Sequence, residues 1–93
     1  MRQPLAPMNQ PAKWQRNAAE WRLMRGQREL ARIYLLPPDC AADFPHGTTC
    51  EIFLTDDYGE RHFHDYGSTA TKAKAIAFRA ALANQAAWPQ AGG

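Results

Sequence analysis

Valine is missing from all 93 residues, and 17 of the apolar residues are alanine. Only about 25 side chains are left to fill a core, which limits the chain to one small domain. No stretch approaches the roughly 18 to 20 consecutive apolar residues of a bilayer crossing, so a transmembrane helix is excluded and no membrane partner is expected. The N-terminal MRQPLAPMNQP places Pro and Gln where a signal peptide needs an unbroken apolar run. Cysteine is scarce as well: Cys40 and Cys50 stand alone. Two thiols in a chain without an export signal read as reduced, and a cytoplasmic location follows. Phosphate-cradling glycine loops and dinucleotide fingerprints are absent, and no cofactor is expected. His46 near Asp43, and Asp56 beside Asp57, are the only pairings with catalytic potential. Both read as loop and turn residues, so the chain is expected not to be an enzyme.

What is present is charge in blocks. The net charge of +2 divides into +5 over residues 1–38, −6 over 39–66 and +3 over 67–93. Basic ends flanking an acidic middle exclude a uniform polycation and favour a partner with a defined charged face.

Residues 1–11 hold three Pro, two Gln and one Asn and bury little, which predicts a flexible tail. Residues 89–93 read the same way, leaving a single domain over 12–88. From Ala12 to Arg25, the residues Trp14, Ala18 and Trp21 recur at helical spacing. Pro11 suits a helix start and Gly26 a helix end, so the spacing predicts a first helix; the competing readings extend it through Leu36, which Gly26 opposes, or make 21–25 a strand. In Glu29 to Leu36, Ala31, Ile33 and Leu35 alternate with Arg32 and Tyr34, which predicts a strand ended by Pro37 and Pro38. A long loop leads to a second strand in which Cys50, Ile52 and Leu54 alternate with Glu51, Phe53 and Thr55. Asp56, Asp57, Tyr58 and Gly59 form a hairpin turn. The returning strand, 60–66, is expected to put Arg61, Phe63 and Asp65 on one face and His62, His64 and Tyr66 on the other. Ser68 or Thr69 then caps a helix over 69–88, in which Ala73, Ala77, Ala80 and Ala81 allow close approach to a sheet. The expected fold is α+β, ordered α-β-β-β-α, with a three-stranded antiparallel sheet covered by helices on one face.

That order, together with two groups of residues, resembles the double-stranded-RNA-binding domain. Pro45-His46 followed by the strand Cys50, Ile52, Leu54 is similar to that family's histidine loop and next strand. Gly67-Ser68-Thr69-Ala70-Thr71-Lys72-Ala73-Lys74 is similar to its lysine-bearing helix start. The resemblance covers roughly residues 12–85 and implies phosphate contacts from the helix start, with His46 and the first helix at minor grooves. It departs at Ala70 and Thr71, where the family has paired lysines, and at Phe44 in place of a glycine. HicB-type antitoxin domains and AP2-type DNA readers also end in a strand and an alanine-rich helix, and they stay open as alternatives.

His62 and His64 share a strand face, and with Cys40 and Cys50 they make a candidate tetrahedral zinc set. The Cys-x9-Cys spacing lacks the tight turn that preorganises such sites, so no metal is expected. The leading expectation is a non-enzymatic module that binds duplex RNA or DNA. Arg22, Arg25, Lys72, Lys74 and Arg79 would meet phosphates, and His46 would reach a groove. The runner-up is a protein-binding module, such as a small inhibitor or antitoxin-like factor. It would use the acidic hairpin (Asp56, Asp57, Glu60) or the sheet face against a basic partner.

Overall fold

The computed structural model describes residues 11–87, apart from the side chains of Cys40, Ala41 and residues 84–87. The tails expected at 1–11 and 89–93 therefore lie, save for Pro11, outside the described residues, as does Trp88. Five antiparallel strands form one sheet in sequential order: β1 (Ala12–Asn17), β2 (Glu20–Arg25), β3 (Arg28–Leu35), β4 (Cys50–Thr55) and β5 (Arg61–Gly67). A short 3₁₀ turn, Pro38–Asp43, lies in the long connection, and one helix, α1 (Ala70–Ala87), follows the sheet.

This corrects the expected fold. A five-stranded sheet with a single C-terminal helix takes the place of a three-stranded sheet with an N-terminal helix. Residues 12–25 form a β-hairpin that reverses at Ala18 and Ala19. The two central positions, both alanine, carry none of the Gly, Asn or Asp that usually mark a hairpin there. The tryptophans add to the ambiguity. Trp14 faces Leu23 and Trp21 faces Arg16, so both rings project to the same side of the hairpin, as they would from a helix. Gly26, read as a helix end, instead supplies the positive φ of 62° in the tight β2–β3 turn.

Alternation along the strands decides what is buried. Leu23, Ala31, Ile33, Ile52 and Leu54 fall on one face, where Leu23, Ile33 and Ile52 are wholly buried. Burying each of the large aliphatic side chains contributes about 1.5–3 kcal/mol. Helix α1 lies across β3, β4 and β5 on that face, using Ala73, Ala77 and Ala81, four residues apart, as a flat buried spine. Gly67 permits the close approach: a Cβ there would stand 2.8 Å from the Ala73 Cβ. The Thr69 hydroxyl accepts the Lys72 N–H at 3.1 Å and caps the helix start.

Two irregularities adjust the faces. An extra residue at Leu30 lets Leu30 and Ala31 both reach the core while Glu29 turns to the other face. On β5 the extra residue is His64, since Phe63 faces Phe53 and Asp65 faces Ile52. The bulge corrects the expected alternation: Tyr66 joins Phe63 on the open face, and Asp65 shifts to the helix side. No helix among the described residues is long and apolar enough to cross a membrane.

Candidate functional site

The sheet has two unlike sides. On the side away from α1, the register builds three cross-strand rows. The first runs Asn17, Glu20, Tyr34, Glu51, Tyr66; the second runs Gln15, Arg22, Arg32, Phe53, Phe63. The third holds Met24, Glu29, Thr55 and Arg61. Opposite charges neutralise one another here. Arg32 reaches Glu29 at 2.5 Å and Glu20 at 3.3 Å, Arg22 reaches Glu20 at 3.1 Å, and Arg61 reaches Glu29 at 2.8 Å. Burial alone would push the Glu29 carboxyl up. The hydrogen bonds donated by Arg61, Thr55 and Arg32 outweigh that effect and hold it below the usual glutamate range. The arginines of this face are therefore committed to its glutamates.

The side that carries α1 differs. Between the helix and the β1–β2 hairpin, the Lys74 ammonium lies 3.5 Å from the centroid of the Trp21 ring and 5.9 Å from that of Trp14. The Arg16 guanidinium lies 5.1 Å from the same Trp21 ring. Two cations thus converge on one indole, an arrangement favourable to each cation but repulsive between them. Neither has a carboxylate partner within ion-pair distance among the described residues. The Trp21 indole N–H is buried without an acceptor among them. Along α1 the exposed Lys72 and Arg79 are seven residues apart, so they share a helix face roughly 10 Å apart along the axis. No acidic residue occurs between Gly67 and Gly93 to offset these charges.

The residues expected to meet nucleic acid divide between these sides. Lys72, Lys74 and Arg79 belong to α1, and Arg25, in register with Ala12, shares the hairpin face of Trp14 and Trp21. Arg22 lies on the open face, bound to Glu20. His46 is exposed in the turn closed by the Thr48 N–H to Pro45 carbonyl bond of 3.0 Å, beyond the sheet. Arg16 reads from the sequence as one of a run of arginines, with Arg22, Arg25, Arg28 and Arg32, that could face phosphates or an acidic partner, but its meeting with Trp21 does not. Its signal is the Arg-x4-Trp spacing, which becomes a cross-strand pair only once 12–25 is seen as a hairpin.

The acidic hairpin is largely engaged with itself. Asp57 pairs with Arg28, and Asp56 Oδ1 accepts the N–H groups of Tyr58 and Glu60, each at 2.9 Å. The His62 ring bonds Asp56 Oδ2 at 2.8 Å, and this bond, followed by those from the backbone, holds the Asp56 carboxyl below its usual range. Glu60 is exposed. The candidate zinc set does not assemble around Cys50 and His62. Cys50 is buried opposite Gly67 at one end of the β4–β5 pair, and His62 faces Leu54 at the other, about 13 Å along the strand. The Cys40 side chain lies outside the described residues. Asp56, Glu60 and His62 instead hold ligand atoms within 4.8 Å of one another, in the contacts that brace the turn.

Comparison with known proteins returns no matching family model, no matching curated protein and no matching solved structure.

Proposed function

We propose that the protein is a small non-enzymatic module that binds nucleic acid, duplex RNA or DNA, chiefly through phosphates on its helix-bearing side. One observation carries the reading: Arg16 and Lys74 converge on Trp21, beside a helix that has cations and no acids. Two cations sharing one ring are stabilised further when an anion joins them, and a phosphate supplies the charge that the chain does not. Lys72 and Arg79 extend the positive field along α1, and the indoles of Trp14 and Trp21 add surface for sugar or base contact. The likeness of the α1 start to the lysine-bearing helix of the double-stranded-RNA-binding domain favours the same residues. The open face is a poor competitor, because its arginines are bound to Glu20 and Glu29.

The test is fluorescence anisotropy with labelled duplex RNA and duplex DNA at about 50 mM salt and upward. Binding that weakens steeply with salt, and that Lys74→Glu reduces with a shallower salt slope, is the expected outcome. Absence of binding to both duplexes at the lowest salt ends this reading.

A further inference from the structure

The first row of the open face pairs a glutamate with a tyrosine twice, Glu20 with Tyr34 and Glu51 with Tyr66. The first pair holds a cation from the chain itself. Arg32 reaches Glu20 at 3.3 Å, and its guanidinium lies 5.9 Å from the centroid of the Tyr34 ring. The second pair has the same chemistry with no cation of its own. Glu51 forms no ion pair and no side-chain hydrogen bond among the described residues.

Aromatic rings surround this second pair. Tyr34 flanks Glu51 on β3 and Tyr66 flanks it on β5, with neighbouring strands about 4.8 Å apart. Phe53, two residues along β4, shares the face. The rings form a continuous series, with centroids 5.5 Å apart for Tyr34 and Phe53, 5.6 Å for Phe53 and Phe63, 4.9 Å for Phe63 and Tyr66, and 5.9 Å for Tyr66 and Phe44. Phe63 is 50% exposed, and Glu51 and Tyr66 are half-buried.

We propose that Glu51, Tyr66 and the surrounding Tyr34, Phe53, Phe63 and Phe44 form a docking surface for a partner protein that inserts an arginine or lysine side chain. The carboxylate supplies the ion pair and the rings supply cation–π faces in a partly dehydrated setting. Arg32 in the neighbouring pair shows the geometry that the incoming cation would repeat. Charge decides the class of occupant. Glu51, with Asp43 beside Phe44, repels a phosphate backbone, so this surface is separate from the nucleic-acid side and adds a second partner.

The experiment uses the full chain and a short fluorescein-labelled peptide of alternating Arg and Ser, with the Glu and Ser peptide as comparison. Wild type is expected to bind the basic peptide and not the acidic one. Glu51→Gln, which keeps the side-chain shape, and Tyr66→Ala are each expected to weaken binding about tenfold. Asp39→Asn, the same change of charge outside the surface, should leave it unchanged. Circular dichroism melts confirm that each variant is folded. The proposal is overturned by no saturable binding by wild type, by equal losses in Glu51→Gln and Asp39→Asn, or by a single-stranded oligonucleotide whose affinity falls with Phe63→Ala while the peptide does not bind. A dimer that Glu51→Gln converts to monomer also overturns it, because the occupant is then a second copy of the chain.

Discussion

Replacing Glu29 by glutamine removes the charge that joins β3 to β5 on the open face. Its two carboxylate oxygens accept from Arg32 at 2.5 and 3.2 Å, from Arg61 at 2.8 and 3.3 Å, and from the Thr55 hydroxyl at 2.6 Å. Glutamine matches the volume but turns one acceptor into a donor pointed at guanidinium groups. The loss is unequal. Arg32 is 12% exposed, and a charge-assisted hydrogen bond at such a position contributes about 1.5–3 kcal/mol. Arg61 is 36% exposed, and solvent screening holds its share to under about 1 kcal/mol. A loss of roughly 2–3 kcal/mol is expected for Glu29→Gln at pH 7, lowering Tm by about 10–20 °C in a chain of this size. The effect depends on pH in a defined sense. Glu29 has its folded pKa below the ordinary 4.5, so its contribution is complete above that value and is lost as pH falls through the lower, folded one. Urea or thermal melts of wild type and Glu29→Gln at pH 7, 5 and 3 should show a gap that narrows only under acid conditions. A gap below about 0.5 kcal/mol at pH 7, or one that stays constant to pH 3, refutes this account of the network.

Other expectations concern separate parts of the molecule. Removing Glu29 also frees Arg61 and leaves Arg32 with Glu20 alone on the open face, so Glu29→Gln should bind labelled duplex more tightly than wild type at low salt, as anisotropy would show. Arg16→Glu with Lys74→Glu should abolish duplex binding at about 50 mM salt, while Lys74→Glu alone weakens it and makes the slope of log K against log salt shallower by about 0.9. Gly67→Ala should cost about 1–3 kcal/mol by pushing Ala73, and α1 with it, away from β5, and adding Ala73→Gly should recover part of that in urea melts. His62→Ala should raise the Asp56 carboxyl pKa toward the ordinary range, as read by NMR titration of the side-chain carbon.

The strands at 28–35, 50–55 and 61–67 and the C-terminal helix were legible because period-two alternation and the Asp-Asp-Tyr-Gly turn are local signals. The first hairpin was not. The centre of its turn lacks turn residues, and its tryptophan spacing satisfies a helix and a hairpin equally, so only long-range pairing of β2 with β3 selects the strand. The bulge at His64 also escaped a reading based on alternation, and with it the meeting of Tyr66 and Phe63. Lys74 could be named from the helix start alone. Arg16 needed the cross-strand register, and Glu51 gains meaning only beside Tyr34 and Tyr66 on the neighbouring strands.

The central claim is that nucleic acid meets the helix-bearing side, and an amide and indole N–H NMR titration of the full chain with a short duplex tests it most directly. The account predicts shifts at Lys72, Lys74, Arg79 and the Trp14 and Trp21 indoles, with Glu51, Phe63 and Tyr66 unmoved. Shifts centred on Glu51, Phe63 and Tyr66, or none at all at low salt, contradict it.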